Sequence, residues 1–527
     1  MIKNKLSILL FCLGISVLVG CRDEFSDHYD RSADLPATTL YGLLKQNSNL
    51  STFARLVEKA GYDTLLSSTQ TFTVFAPVND GLAGINPDAF DVTRARTFVN
   101  NQIARFNNST SVPAANGVRM KNYKLYSFSS GKDAFGGATL VDKNIMAKNG
   151  LLHTLNGPIT YRNNVHEYIT SSDNTTKLEA FIKTFDETRF DESLSIPIDI
   201  NQNGSVVYDS VKTTFNRLLD KNLGSIANED SIYTMVIPTD NAWDEAYTKY
   251  SAYFKTYNAN AAVADSIRKV QASQAILNDL IYRGRIDDSN LPDSIVSTSG
   301  SVVHNPASLL SGTNKQDASN GLTYFTDHLN YNGLETWNKK IVIECEEPEG
   351  RLAGANTGIN TRIVSSGANI PVSNSRYIEV SPNTTTAQPA VTFDIPNVLS
   401  GKYNIYVECL PGSIDDAPKD STKLLFDLTY LTATGKTTNV TVKLNSFVTS
   451  GKNKVVIKAF SSFEFPVANF YDRIWWIDYF NGLHSYSERV VTTKFMVKTN
   501  VSTSEINNNI FSRKFRIDRI IFEPVIN

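Results

Sequence analysis

The stretch from Thr71 to Leu82, TFTVFAPVNDGL, decides the fold of the first part of the chain. Its residues alternate in the way that is typical of a strand, with Phe72, Val74 and Ala76 on one side. Pro77 ends this strand because it has no amide hydrogen to donate. Asn79 and Asp80 then offer an N-cap for a helix. The stretch therefore predicts a strand that is followed at once by a helix.

The flanking sequence completes this pattern. The segment from Leu40 to Gly61, LYGLLKQNSNLSTFARLVEKAG, repeats apolar residues near a 3.6-residue period, and Gly61 is a plausible C-cap. The segment from Lys148 to Ile159, KNGLLHTLNGPI, indicates a turn, a short strand and a second turn.

Both motifs recur further along the chain. The segment from Ser231 to Trp243, SIYTMVIPTDNAW, repeats the first motif, and the segment from Ser319 to Asn330, SNGLTYFTDHLN, repeats the second. Pro238 and Asp240 take the positions of the earlier proline and N-cap residue. The stretches TTKLEAFIKTFDE and TFNRLLDKNLG, which precede the second strand, are predicted to be helical.

This order of helix, T-F-T-V-F-A-P-x-N-D and N-G-x-x-H resembles the fasciclin domain. The resemblance implies one domain at 36–165 and a divergent second at 166–338, each a β-wedge with helices beside it. It also implies adhesion or matrix contact, without general catalytic activity or a conserved cofactor. Many fasciclin domains carry a Tyr-His adhesion pair between the motifs. FVNNQIARF (98–106) and AILNDLIYRG (275–284) lack it, so we do not assign that surface here.

From residue 339 to 527 the pattern becomes all-β, with short apolar runs separated by turn residues. The predicted strands include IVIECE, GKYNIYVECL, RIWWIDYF and FRIDRIIFEPV. The first, second and last of these resemble strands of jelly-roll carbohydrate-binding modules. The fold class is therefore predicted as α+β, with two fasciclin-like domains and a C-terminal, jelly-roll-like β-sandwich.

The N-terminus resembles that of a bacterial lipoprotein. Lys3 and Lys5 precede a short apolar run, and Leu-Val-Gly-Cys closes it at Cys21. The resemblance implies a signal peptide over 1–20, lipid on Cys21 and a polar tether over 21–35; the alternative is a plain signal peptide. Acidic residues behind Cys21 resemble an export signal to the outer face of the outer membrane, with a periplasm-facing anchor as the alternative.

Composition excludes some classes of function. The formal net charge is -2 and no basic patch is present, so nucleic-acid binding is not expected. Of four cysteines, only Cys345 and Cys409 remain for the folded part. The sequence leaves open whether they form a disulfide or stay as buried thiols.

Residues that could carry chemistry are few. The six histidines are scattered, and no zinc, calcium-loop, phosphate-loop or nucleophile-elbow motif occurs. We therefore expect no enzyme activity, no cofactor and no metal site, and a structural role for His153 and His328. The acidic run of Glu344, Glu346, Glu347 and Glu349 could serve glycoside hydrolysis or calcium binding, but such runs more often mark a solvated strand end.

The densest aromatic cluster lies near the C-terminus. Trp475, Trp476 and Tyr479 are the ligand-binding candidates, because aromatic planes stack on sugar rings and form hot spots for protein partners. On a strand, Trp475 and Tyr479 would share one face, and one face should be core. The polar segment 353–375 is expected to be a long loop and is the second candidate contact surface.

Lipoproteins of this layout resemble accessory subunits of outer-membrane uptake systems. The resemblance implies capture of a glycan or peptide, or docking on a TonB-dependent transporter and its lid lipoprotein, at the cell surface and without chemistry. The alternative is an adhesion or matrix-binding protein, and a glycoside hydrolase is a third reading.

Overall fold

The computed structural model describes residues 36–113, 117–190, 197–208, 212–364, 370–415, 420–471, 473–480 and 482–526. The chain divides into two compact units, which meet between Asn163 and Asn164. The expected signal peptide, Cys21 and the tether to residue 35 lie outside the described residues. Across the described ranges, no helix is long and apolar enough to cross a membrane.

The first unit combines helices with a small sheet. Its helices are α1 (Leu40–Gln46), α2 (Ser51–Ala60), α3 (Asp63–Ser67) and α4 (Val92–Asn100). Its strands are β1 (Phe72–Pro77), β2 (Ile103–Arg105), β3 (Val118–Arg119), β4 (Leu125–Tyr126), β5 (Ala134–Phe135), β6 (Ala138–Thr139), β7 (Ile145–Ala147) and β8 (Gly150–Leu155).

The two sequence motifs form adjacent central strands of the sheet β2-β1-β8-β7. β1 and β8 run parallel, with Phe72 opposite Gly150. Gly150 has a φ of 149°, and a Cβ there would lie 1.8 Å from the carbonyl oxygen of Phe72. Only glycine fits this close approach, which explains the Asn-Gly dipeptide at the start of β8.

Asn149 connects this sheet to the helices. Its Oδ1 accepts the amide hydrogen of Leu40 at 2.9 Å. Its Nδ2 donates to the carbonyl oxygens of Leu66 and Ser68 at 2.9 and 2.8 Å. One buried side chain therefore holds the start of α1 and the end of α3 against the sheet.

The predicted helical stretch is confirmed, and Gly61 ends α2 in the left-handed conformation, with a φ of 73°. The prediction that Asn79 caps the following helix is wrong. Asn79 opens only a short 3-10 turn, and its Oδ1 accepts the amide hydrogen of Thr52 at 3.0 Å. The N-cap residue therefore serves the first turn of α2, which lies earlier in the chain but close in space.

The second unit begins with a fasciclin-like domain. Its helices are α5 (Val165–Thr170), α6 (Thr176–Lys183), α7 (Asp240–Ser251), α8 (Ala261–Leu277), α9 (Pro306–Leu310) and α10 (Leu334–Trp337). Its strands are β9 (Asp186–Phe190), β10 (Pro197–Ile200), β11 (Val206–Tyr208), β12 (Lys212–Asn216), β13 (Tyr233–Pro238), β14 (Ile281–Arg283), β15 (Ser294–Val296), β16 (Val302–His304), β17 (Asn314–Ala318) and β18 (Gly321–Thr326).

This domain repeats the topology of the first. Its central sheet has the order β14-β13-β18-β17, and β13 runs parallel to β18 with Tyr233 opposite Gly321. Asn320 repeats the bonds of Asn149, because it accepts from the amide of Val165 at 2.9 Å and donates to the carbonyls of Ile226 and Asn228. The predicted internal repeat is therefore confirmed in three dimensions.

The cap is repeated as well. Asp240 accepts the amide hydrogen of Lys177 at 2.8 Å and the hydroxyl of Thr176 at 2.7 Å, at the start of α6. The helical prediction for TFNRLLDKNLG is only partly right. Lys212–Asn216 is strand β12, paired with β9, and a π-helical turn covers Leu219–Leu223.

A two-sheet sandwich follows. Its strands are β19 (Ile341–Glu344), β20 (Arg351–Ala353), β21 (Thr357–Ile363), β22 (Arg376–Pro382), β23 (Ala390–Asp394), β24 (Gly401–Cys409), β25 (Leu424–Leu431), β26 (Thr437–Val442), β27 (Val455–Phe465), β28 (Lys494–Thr499) and β29 (Phe515–Pro524). Its helices are α11 (Arg473–Phe480) and α12 (Thr503–Asn507).

The sandwich core lies between two antiparallel sheets. One has the order β21-β22-β29-β24-β27, with β19 beside β29, and the other has the order β20-β23-β28-β25-β26. Ile405 and Phe522 from the first sheet and Phe426 and Phe495 from the second are fully buried in one cluster. Burial of such side chains contributes roughly 1.5–3 kcal/mol each, which makes this core the main source of stability for the sandwich.

Two predictions for this region are wrong. The segment RIWWIDYF is helix α11 and not a strand, so Trp475 and Tyr479 share a face because they are four residues apart on a helix. The segment 353–375 is not one long loop, since β21 lies within it and pairs with β22. β21 pairs with β22 in a regular ladder, and it lies at the edge of its sheet. A polar sequence is typical of such an edge strand.

Cys345 and Cys409 are both buried and free in the structure. Burial raises the pKa of the Cys345 thiol well above its ordinary range, and it raises the pKa of Cys409 to about 12. Both thiols therefore stay protonated at neutral pH and pack as small apolar side chains.

Within the second unit, the fasciclin-like domain packs against the sandwich. Phe254 and Leu399 are buried in a shared cluster, and the rings of Phe254 and Phe470 lie 5.5 Å apart. Ser400 donates to the carbonyl oxygen of Ala252 at 2.8 Å and accepts the amide hydrogen of Lys255 at 3.0 Å. Apolar packing and hydrogen bonds thus join these two domains.

Candidate ligand-binding surface

The three sequence-predicted residues come together on helix α11, in the connection between β27 and β28. The rings of Trp475 and Tyr479 lie 5.9 Å apart with an angle of 1° between their planes. The ring of His484 lies 5.3 Å from Trp475 at 8°. Three ring planes are therefore nearly parallel, although their residues come from a helix and the turn that follows it.

Trp476 lies beside the charged residues of the cluster. The Arg489 guanidinium lies 4.9 Å from the centre of the Trp476 ring, a cation–π contact. Arg489 also lies 3.5 Å from the Glu349 carboxylate, which accepts the hydroxyl hydrogen of Tyr486 at 3.0 Å. Glu349, the last residue of the acidic run, thus belongs to this aromatic surface.

Solvent reaches the cluster. Trp475, Trp476 and Tyr479 are half-buried, whereas Phe480 at the end of α11 is 78 % exposed. This differs from the sandwich core, where aromatic rings are fully enclosed. Large apolar side chains left in contact with water in one patch are typical of a contact surface.

A buried carboxylate positions the helix. Asp478 is 6 % exposed and lies 3.4 Å from the Arg217 guanidinium of the fasciclin-like domain. Burial raises the pKa of Asp478. This contact joins α11, which carries Trp475 and Tyr479, to the fasciclin-like domain.

Glu344 and Glu346 of the acidic run are built into the sandwich, whereas Glu347 is exposed. Glu344 accepts the hydroxyl hydrogen of Ser373 at 2.9 Å, and Glu346 accepts from the side-chain amide of Asn374 at 3.1 Å. Each also has one buried oxygen without a hydrogen-bond partner. Burial raises the pKa of Glu344.

A lysine neutralises the neighbouring carboxylates. Lys454 lies 2.8 Å from fully buried Asp518 and 2.7 Å from Glu408. Arg519 pairs with Glu408 at 2.9 Å. In the part of the chain that the structure describes, no three acidic, histidine or cysteine side chains are arranged to hold a metal ion. Lys454, Glu408, Asp518 and Arg519 form an internal ion-pair network.

The two histidines of the fasciclin motifs differ. His153 is fully buried on β8, where its Nε2 lies 3.0 Å from the Asn108 carbonyl and its ring stacks on Phe75. Burial lowers the pKa of His153, so it is neutral and structural. His328 is exposed, and pairing with Glu245 at 3.0 Å raises its pKa.

Sequence reasoning found the tryptophans but missed their companions. Tyr471, His484, Tyr486 and Arg489 complete the surface, yet they are spread over nineteen residues without a periodic signal. Their aromatic and cationic character, clustered within one inter-strand connection, is the only signal that could have identified them.

Comparison with known proteins assigns part of this architecture. Residues 48–160 match the family model of the fasciclin domain. A FAS1 domain-containing protein of Saccharomyces cerevisiae is 41% identical over 46 residues, which span 9% of this chain and 5% of that protein. The chain thus covers only a small part of this curated relative.

Two solved structures are similar at low overall scores. The FAS1 domain pair of the insect cell adhesion molecule Fasciclin I is 16% identical, with coverage of 55% of this chain and 99% of that chain and a TM-score of 0.21. The C-terminal family 22 carbohydrate binding module of Clostridium thermocellum Xyn10B is 14% identical, with coverage of 35% and 94% and a TM-score of 0.21.

The parallel β1–β8 pair, its helical layer and the family match together define a small α/β domain of the fasciclin type at residues 48–160. The second copy repeats this topology before the sandwich.

Proposed function

We propose that this protein is a non-catalytic lipoprotein of the outer-membrane surface that binds a glycan. The aromatic surface on α11 is the observation that carries the proposal, because its ring planes are nearly parallel and its rings are partly exposed to solvent. Sugar rings present flat C–H faces that pack on such planes. The same surface also suits a peptide ligand with apolar side chains, which is the other form of this proposal.

The flanking polar groups suit a hydroxyl-rich ligand. Arg489 and Glu349 lie beside Trp476, and His484 lies beside Trp475. These groups supply both donors and acceptors at the edge of the aromatic planes.

The test is a glycan array followed by affinity electrophoresis with the best hit. The double variant Trp475→Ala, Trp476→Ala removes the two largest planes, and we expect it to lose retardation in the gel. Tyr123→Ala is the matched control, since Tyr123 is an exposed aromatic residue of the first unit, 61 % accessible. Retention of full binding by the double variant would refute this site.

The proposal has two further parts. The first is membrane attachment through lipid on Cys21, and the second is docking on a TonB-dependent transporter with its lid lipoprotein. The lipobox-like sequence at Cys21 supports the anchor, and the layout of the chain supports the transporter. A lipid anchor would raise the local ligand concentration and make weak binding effective. Co-purification of the native lipoprotein with a stoichiometric transporter is the expected result, whereas recovery of the lipoprotein alone would overturn the docking.

An adhesion or matrix-binding protein is the second candidate, and the fasciclin domain at 48–160 favours it. The region in which many fasciclin domains carry Tyr-His reads FVNNQIARF here, and Asn101 and Gln102 within it are buried. Binding of the full chain to matrix polymers that is unaffected by the double tryptophan variant would favour this candidate.

A further inference from the structure

The first fasciclin domain contains a cavity of about 700 Å³ beside helix α4. Its volume lies in the range of sites that enclose small molecules, roughly 300–1,000 Å³. Most of its wall is apolar, and the apolar residues are Ile85, Phe90, Phe98, Pro158 and Ile159. The body of any ligand that fits this cavity must therefore be largely apolar.

Gln102 lines the cavity and offers it a hydrogen-bond donor. Gln102 is 1 % exposed, and its Oε1 accepts the amide hydrogen of Ile159 at 3.3 Å. Its Nε2 has no acceptor in the described part of the chain. The neighbouring Asn101 is engaged within the domain, because its Oδ1 accepts from Asn122 and Tyr126 and its Nδ2 donates to Ile159. The Gln102 Nε2 is therefore available to an acceptor on a ligand.

The charge at the cavity wall is positive. Arg94 is the charged residue that lines it, and its guanidinium lies 4.3 Å from the centre of the Phe90 ring. Arg94 forms no ion pair with the described residues, and no acidic side chain lines the cavity. A cationic ligand would find no counter-charge here.

We propose that this cavity binds a small amphipathic carboxylate. Its apolar ring or chain would pack on Phe90, Phe98 and Ile159, and its negative charge would lie at Arg94 with an acceptor at Gln102. A charge-assisted hydrogen bond to a guanidinium is among the stronger polar contacts in proteins. This site is separate from the aromatic surface on α11 and is independent of the glycan proposal.

The test uses the full chain and the probe 3-phenylpropionate, with binding measured by calorimetry and by saturation-transfer NMR. The neutral amide and the cationic amine of the same skeleton are the matched ligands. We expect the carboxylate to bind about tenfold more tightly than the amide, and the amine not to bind. Equal binding of all three, or no binding of the carboxylate at millimolar concentration, would overturn the proposal.

Substitutions of lining residues test whether the probe binds in this cavity. Thr97 is exposed on α4 and lines the cavity, so Thr97→Trp fills the entrance without a change in the core, and we expect it to abolish binding. Arg94→Gln should weaken the carboxylate about tenfold and leave the amide unchanged. Arg105→Gln is the charge-matched control on an exposed residue outside the cavity, and it should bind as the wild type does. Loss of binding in this control, or full binding by Thr97→Trp, would contradict the assignment.

Discussion

Asn149 is the single side chain whose loss should most disturb the first unit. It makes three hydrogen bonds to the backbone, at 2.8 to 2.9 Å, and it is 5 % exposed. Substitution by alanine leaves one buried amide and two carbonyls without partners, and water cannot readily replace the lost bonds. At about 1 kcal/mol for each bond, Asn149→Ala should destabilise the unit by about 3 kcal/mol.

Hydrogen exchange followed by mass spectrometry measures this effect in the intact chain. A loss of about 3 kcal/mol corresponds to roughly 150-fold faster exchange of the β1 and β8 amides, which open with the unit. Asn49→Ala is the control, because the Asn49 side chain is exposed and its side-chain amide makes no hydrogen bond to the described residues. Acceleration below about threefold in Asn149→Ala would refute the reasoning. Asn320→Ala should produce the same effect in the second unit.

Three further predictions follow from burial. Burial raises the pKa of Asp279 to about 6, above the unfolded value near 3.9, so the stability it contributes is full below about pH 4 and is lost as pH rises through 6. Calorimetry of Asp279→Asn should therefore show a second-unit Tm that declines less than the wild-type Tm between pH 4 and 7; parallel curves would contradict this. Gly150→Ala should prevent close pairing of β1 and β8 and lower the Tm of the first unit by several degrees, whereas Gly157→Ala, with open space around its Cβ, should lower it little. Cys345 and Cys409 should react with a thiol reagent only at the rate of unfolding, and rapid labelling of the native chain would show that they are accessible.

The motif strands could be predicted from the sequence because neighbouring residues determine them. The alternation in TFTVFAP and the proline after it act within one strand, and Gly61 acts within one helix end. The hydrogen-bond partner of the Asn79 side chain could not be predicted from local sequence. This side chain caps α2, whose first turn lies about thirty residues earlier, and only the tertiary fold brings the two together.

The error at α11 has a similar origin. RIWWIDYF is rich in aromatic and β-branched residues, which favour strands, and its neighbours along the chain are strands. The contact of Asp478 with Arg217 of another domain, and the packing of α11 on the Leu219–Leu223 turn, favour the helix instead. The candidate residues were found because their chemistry is visible in the sequence, whereas their geometry depends on a domain contact that is not.

The most direct test of the binding surface uses the four tryptophans of the chain as reporters. Trp243 is buried in the fasciclin-like domain and Trp337 packs near Phe254, whereas Trp475 and Trp476 lie on α11. Fluorine NMR of the 5-fluorotryptophan protein, titrated with the best glycan from the array, should shift only the Trp475 and Trp476 resonances. Shifts confined to Trp243 and Trp337, or saturable binding that moves none of the four, would contradict the account.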